Sequence, residues 1–394
     1  MKEVPTPPSG DVPVKPAKPA ARVEPAAGSA EWVTIPSGGS ALGHDPLAER
    51  VDIDPFVERL EELGRAPARQ RPRPPLRPAP KGPRRGSGES RAEPGAAPLP
   101  RRRRTVIPSL SELEVPEAAG WLDRVLGEDE RRRLAAISHL VEGEASFDRF
   151  GFSPETAKTA FPWFYALYRF YFRVRSQGHE NIPTDGPAVL VANHGGILPF
   201  DAAMGVIDIL LHTDPPRLAR AIVDRWAGEL PWINVFFARV GQVIGTRENF
   251  AELLDDGQPV LVFPEGTEGI GKSITQRYRL QNFRVGFIEQ ALRARAPIVP
   301  VAFIGSDDQA PVLYDLKPLA RRLGLPVAPI TPTFPWLGPL GLLPYPVSYR
   351  IRYGEPLCFH ERFGPEGASD ARLVRYLANQ VRRSVQLLVD RSRS

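Results

Sequence analysis

From Gly178 to Tyr353 the chain alternates short apolar runs with stretches of helical period. The runs cover residues 188–192, 220–223, 240–244, 259–263, 298–304 and 347–353. Each has the length of a strand. Segments with apolar residues three and four apart separate several of them, as at 201–211 and 283–295. This order predicts an α/β domain in which a mainly parallel sheet is flanked by helices. Parallel crossovers leave strand ends on one edge of the sheet, where ligands bind. The residues that follow these runs are therefore the first place to look for chemistry.

Upstream the pattern changes. Residues 109–143 have helical periodicity, with Trp121, Leu122, Val125 and Leu126 on one face and Leu134, Ile137 and Leu140 on another. Residues 161–174 are dense in aromatic side chains, with Arg169 and Arg173 among them. The segment is too short to span a bilayer. It fits a helix lying at a membrane interface and equally a helix covering the core. Residues 333–346 are apolar, uncharged and rich in Pro and Gly. Such a loop is either folded onto the core or set against lipid or an acyl chain. The last helical stretch, 370–389, carries Leu373, Leu377, Val381, Val385 and Leu388 in one stripe.

Composition divides the chain further. Twenty of the 45 prolines fall in the first 100 residues, and residues 65–104 carry 13 Lys/Arg against two Glu. The net charge of the whole chain is only +5, so the remainder is mildly acidic and the basic character belongs to this segment. Residues 1–104 read as a disordered Pro/Arg-rich tail, 105–150 as a helical linker and 151–394 as the folded domain. The run Arg101 to Arg104 fits an anionic surface or a solvated linker end. Nucleic-acid binding is not expected, because the basic segment lacks the interleaved aromatics on which bases stack.

A single cysteine, Cys358, excludes a disulfide framework within one chain and reads as a small buried residue. It suits a reducing compartment. The first residues lack the apolar stretch of a secretory signal, and no uncharged apolar run reaches the ~18 residues of a membrane span. The expected location is cytoplasmic, peripheral on a membrane. The six histidines, at 44, 139, 179, 194, 212 and 360, include no pair at zinc-site spacing. Neither a metal nor a cofactor is expected.

Two strand ends carry the chemistry. The run 188–192 ends in Asn193-His194, and Asp201 follows seven residues after the histidine. Histidine is suited to take a proton from an alcohol near neutral pH, and a carboxylate can orient it. Gly195 and Gly196 permit a tight turn before a new helix near Phe200. The run 259–263 ends in Pro264-Glu-Gly-Thr267, a turn whose backbone N–H groups can hold an anion. Basic residues for a phosphate lie at Arg247, Lys272, Arg277, Arg279 and Arg284, with Arg247 directly after another strand. No Gly-x-Ser-x-Gly elbow accompanies His194, and Ser306 in Gly305-Ser-Asp307 is the nearest imitation.

In these blocks the chain resembles the glycerolipid, or lysophosphatidate-type, acyltransferases. Asn193-His194 with Asp201 is similar to the catalytic His/Asp block of that family. Gly241-Gln-Val-Ile-Gly-Thr-Arg247 resembles the block that ends in a phosphate-binding arginine. Phe263-Pro-Glu-Gly-Thr267 is close to its most specific string, and Ile298-Val-Pro-Val-Ala302 to its last block. The four blocks span about 160–360 in the expected order. The resemblance implies a glycerophosphate acyltransferase-like fold, with acyl-CoA or acyl-carrier protein as co-substrate and a lysophospholipid as acceptor. It implies His194 and Asp201 as the catalytic pair, and Asn193, Gly195, Arg247, Glu265, Gly266, Thr267, Lys272 and Arg284 around the substrate. Three features depart from the family. Six residues rather than four separate His194 from Asp201, Glu268 stands where an arginine is usual, and Val243-Ile244 stands where a Phe-Ile pair usually precedes the arginine.

Three functions therefore compete: acylation of a lysophospholipid at a membrane lipid surface, acylation of a neutral or unusual alcohol, and a non-catalytic membrane-associated scaffold recruited by the basic tail.

Overall fold

The structure, a computed structural model, describes residues 125–141, 146–228 and 231–393. The expected tail and most of the expected linker lie outside the described residues. The described residues include nine strands: β1 (Arg175–Gln177), β2 (Ala188–Ala192), β3 (Arg220–Val223), β4 (Val243–Ile244), β5 (Pro259–Val262), β6 (Ile298–Ile304), β7 (Tyr314–Asp315), β8 (Pro329–Ile330) and β9 (Arg350–Tyr353). The principal helices are α1 (Glu128–Ala136), α2 (Pro154–Ala166), α3 (Phe200–His212), α4 (Ile233–Arg239), α5 (Arg247–Asp255), α6 (Gly286–Arg293) and α7 (Ala371–Arg393). Seven strands form one sheet in the order β1-β9-β6-β2-β5-β3-β4, and β7 and β8 pair separately.

The centre of the sheet is parallel: β2 pairs with both β5 and β6, and β3 pairs with β5 and β4. Only β6 and β9 run antiparallel within it. Every residue of β2, β5 and β6 is buried. That is why these strands read as unbroken apolar runs rather than as alternating ones. Val189 and Val191 face α5, α6 and α7, while Leu190 and Ala192 face α1, α2 and α3. Full burial of a side chain such as Leu190 or Leu261 contributes about 1.5–3 kcal/mol. Because β2, β5, β3 and β4 are adjacent and parallel, the residues after all four emerge on one edge.

Several expectations are revised. The run 240–244 forms strand only at Val243–Ile244, because α4 extends to Arg239 and Gly241 turns with φ +95°. The last run is shortened to Arg350–Tyr353. The edge strand β1 has no apolar periodicity to announce it. Cys358 is exposed rather than buried, at the N-terminal end of a short helix, Phe359–Phe363. In α7 the stripe is completed by Val374 and Val389, with Leu388 only partly buried.

The aromatic segment divides its duties. Ser153 caps α2 through its hydroxyl, and Pro154 occupies the first turn. A π-turn, Leu167–Tyr171, follows. Phe161, Tyr165, Tyr168 and Phe172 enter the core, while Trp163 and Phe170 stay exposed. In the apolar loop, Trp336, Leu337, Leu340 and Leu343 are exposed. Its far end is held by Tyr171, whose hydroxyl donates to the Pro344 carbonyl at 2.5 Å. Among the described residues no helix is long and apolar enough to cross a membrane.

Candidate active site

β2 delivers His194 to the sheet edge, and α3 delivers Asp201 from its first turn. The six intervening residues form the turn between them, so the longer spacing still closes the pair. His194 Nδ1 lies 2.6 Å from Asp201 Oδ2. A carboxylate only accepts, so Nδ1 carries the proton and Nε2 holds the lone pair. Asp201 is fully buried, and its oxygens also accept the backbone N–H groups of Gly195 at 3.1 Å and Ala202 at 2.8 Å. The carboxylate is therefore fixed in place before it meets the imidazole. Burial by itself would lower the His194 pKa. The Asp201 charge and hydrogen bond, together with the Glu265 charge, outweigh it, so the pKa is raised above 6.5; Lys272 opposes this.

His194 lines a cavity of about 350 Å³ at the sheet edge, together with Asp224, Thr246, Arg247, Gly266, Thr267 and Arg284. A second cavity of about 340 Å³ adjoins it, with Leu198, Pro199, Val223, Ile233 and Phe237 lining both. Its walls are almost wholly apolar, and include Phe161, Phe164, Ala203, Val206, Leu210 and Phe236. The exposed apolar residues Trp232, Ile233, Val235 and Phe236 belong to α4 and its start, beside this space.

Of the substrate-binding candidates, Arg247, Gly266, Thr267 and Arg284 line the first cavity, and Asn193, Gly195, Glu265 and Lys272 do not. Asn193 is buried and uses its side-chain amide on both backbone groups of Phe303. It ties β2 to β6. Gly195 lies where an added Cβ would meet the backbone nitrogen of Asp307 at 2.7 Å, so only glycine fits. Glu265 is buried, with Oε1 accepting from the His194 N–H at 2.9 Å and Oε2 from the Gln281 N–H at 2.7 Å. Lys272 is a correction of a different kind. Its side chain is 2% exposed, with Nζ 3.5 Å from Glu265 and 3.3 Å from Asp307. It answers internal carboxylates rather than an acceptor phosphate. Gly266 turns with φ +58°, which favours glycine, and the Arg284 guanidinium packs against it.

Arg247 and Arg284 reach solvent, with side chains 70% and 66% exposed. Each has an acidic neighbour: Glu289 lies 3.2 Å from Arg247, and Asp224 lies 3.3 Å from Arg284. Sequence reasoning did not foresee either acid, since nothing local links them to their partners. Ser306 is no nucleophile elbow: its hydroxyl is buried and donates to the Phe303 carbonyl.

A second polar cluster lies at the opposite end of α3. Buried Asp208 accepts hydroxyl hydrogen bonds from Tyr168, Ser176 and Tyr353. The rings of His179 and His212 stack beside it with centroids 4.1 Å apart. These two histidines and Asp208 place potential ligand atoms within 4.8 Å of one another, a grouping that spacing in the sequence could not reveal. The nitrogen of His212 that faces the cluster donates its proton to the Asp208 carbonyl, so in this arrangement it is not a free ligand. Burial alone would raise the Asp208 pKa, but hydrogen bonds from His179 and His212 bring it below the usual carboxylate range.

A mainly parallel sheet thus carries a His/Asp pair at its edge, with an apolar cavity beside it. The family described as Acyltransferase matches residues 173–304. An uncharacterized protein of Mycobacterium tuberculosis is 42% identical over 254 residues, covering 64% of this chain and 70% of that protein. A human protein described as a DGAT1/2-independent enzyme synthesizing storage lipids is 25% identical over 221 residues, covering 54% of this chain and 60% of its own. The crystal structure of the 1-acyl-sn-glycerophosphate (LPA) acyltransferase from Thermotoga maritima aligns with a TM-score of 0.37 at 21% identity, covering 68% of this chain and 86% of that one. The chain belongs to the acyltransferase family.

Proposed function

We propose that this acyltransferase moves a fatty acyl group from acyl-CoA or acyl-carrier protein to the hydroxyl of a lysophospholipid such as lysophosphatidate, with His194 as general base. The 2.6 Å pairing of His194 Nδ1 with buried Asp201, at the wall of a cavity that adjoins an apolar one, carries this reading. With Nδ1–H held by Asp201, His194 Nε2 takes the proton of the acceptor hydroxyl. The oxygen attacks the thioester carbonyl and forms a tetrahedral intermediate. Its collapse breaks the C–S bond, and the leaving thiolate recovers the proton from the imidazolium. An ester and a free thiol result, with no acyl-enzyme. General-base assistance of this kind contributes roughly 10²–10⁴-fold.

The apolar cavity takes the acyl chain. Arg247 and Arg284 face the acceptor headgroup. The N–H groups of Gly195 and Gly266 are already engaged by Asp201 and the Phe263 carbonyl. Thr267, which lines the first cavity, is the candidate donor to the oxyanion. Trp232, 85% exposed, with the Trp336–Leu343 loop, gives the enzyme apolar surface to rest on the cytoplasmic face of a membrane while drawing lipid from it.

A second reading is favoured by the charges themselves. Asp224 and Glu289 offset both arginines, and Glu268 replaces a family arginine, so a neutral lipid alcohol also suits the cavity. The name of the human relative points the same way. The test is CoA release from a long-chain acyl-CoA in liposomes, with lysophosphatidate or with a mono- or diacylglycerol as acceptor. Turnover lost in His194→Ala with either acceptor supports the base. Arg247→Ala impaired only with lysophosphatidate supports the phosphorylated acceptor. Turnover only with the neutral alcohol, indifferent to Arg247, supports the second reading. Equal turnover by wild type and His194→Ala discards the base.

A further inference from the structure

The buried ammonium of Lys272 has no place in the chemistry just described, yet the molecule bears the cost of removing it from water. Its position explains why. Nζ sits between Glu265 on the turn after β5 and Asp307 on the turn after β6. Glu265 in turn accepts the backbone N–H of His194, and Asp307 accepts that of Tyr278 at 3.0 Å. Space here is tight: a Cβ on Gly269 would lie 2.8 Å from His194 Cβ and 3.0 Å from Glu265 Cβ. A side chain on one turn thus holds a second turn, and through it the backbone that carries the imidazole.

Charge makes the same point. Facing this region are the carboxylates of Asp201, Glu265 and Asp307, with Asp308 beyond, hydrogen-bonded to the Tyr278 hydroxyl at 2.5 Å. Asp315 lies near the neighbouring Gly271, and the buried Tyr349 phenol senses both Asp201 and Asp307. Lys272 is set among them, between Glu265 and Asp307, while Arg277 pairs with Asp308 at 2.8 Å. Without Lys272, the surrounding negative charge favours the imidazolium, which cannot accept a proton.

We propose that Lys272 is a positioning residue for acyl transfer: its ammonium braces Glu265 and Asp307 beside His194 and offsets part of the negative charge around the imidazole. This rests on His194 being the base. The direction in which Lys272 moves the His194 pKa, downward, agrees with it.

The test follows His194 in the full chain by NMR titration of its ring, assigned with His194→Gln, beside the pH profile of CoA release. In Lys272→Met, His194 is expected to titrate at higher pH than in wild type. kcat at pH 7 should fall about tenfold or more and recover toward alkaline pH, with KM for the acyl donor little changed. Lys272→Arg should restore both. A His194 titration unchanged in Lys272→Met overturns the proposal. If Lys272→Met does not fold, Glu265→Gln provides the opposite sign: the acceptor for the His194 N–H is kept while the charge paired with Lys272 is removed, so His194 should titrate lower, and no shift overturns the proposal. Retained turnover in His194→Gln would defeat the general-base reading while leaving the Lys272-dependent titration readable.

Discussion

The backbone N–H of His194 donates to Glu265 Oε1 at 2.9 Å across 71 residues of chain. The glutamate of the Pro-Glu-Gly-Thr turn thus holds the base in place instead of reaching toward a substrate. Its other oxygen holds Gln281, and its charge faces Lys272. Glu265→Ala should leave two half-buried N–H groups and a buried ammonium without their shared partner. A loss of about 3–5 kcal/mol of stability is expected, measured by chemical denaturation.

Asp201→Asn keeps the shape of the side chain but offers Nδ1 an amide in place of a carboxylate. The imidazole loses its fixed tautomer, and kcat should fall roughly 10²–10⁴-fold. Circular dichroism should stay native. A fall of less than tenfold in CoA release would remove Asp201 from the catalytic pair.

The raised pKa of His194 sets the pH response. A general base must be neutral, so kcat/KM should lie on an acid limb displaced upward from the ordinary imidazole value and rise with pH through it. Stability has the opposite sign. The contribution of His194 is complete below its unfolded value near 6.5 and is lost as pH rises through the folded value. Parallel activity and denaturation profiles check both limbs; His194→Gln should abolish the first and remove one contribution to the second, leaving that of His212, whose pKa, against the effect of burial, is also raised by Asp208.

Asp208 gathers three hydroxyl donors and two histidines at the far end of α3. Asn in its place has one acceptor oxygen and brings two donors of its own. Asp208→Asn should cost about 2–4 kcal/mol while leaving the pH midpoint of kcat unchanged. A shifted midpoint would couple this cluster to the active site.

Gly195→Ala tests the closeness of β2 and the β6 turn. The new methyl would meet backbone atoms of Ser306 and Asp307 below 3 Å, and backbone cannot yield as a flexible side chain does. Expected losses are about 1–3 kcal/mol and most of the turnover, since His194 is the next residue.

The sequence by itself determined the central strands, the parallel sheet and the two strand ends that bear His194 and Glu265. Strands buried on both faces must be apolar throughout, so 188–192, 259–263 and 298–304 were legible from local pattern. The pairing of His194 with Asp201 was legible too, because a glycine turn and a helix start join them within a few residues. Tertiary structure alone decided what Glu265, Lys272, Arg247 and Arg284 face. Their partners, His194, Asp307, Glu289 and Asp224, lie on other elements. A lysine in a sequence carries no sign of whether its ammonium meets water, a phosphate or a buried carboxylate. That choice depends on which turns the crossovers bring to one edge of the sheet, and burial then settles it through the cost of leaving a charge unpaired.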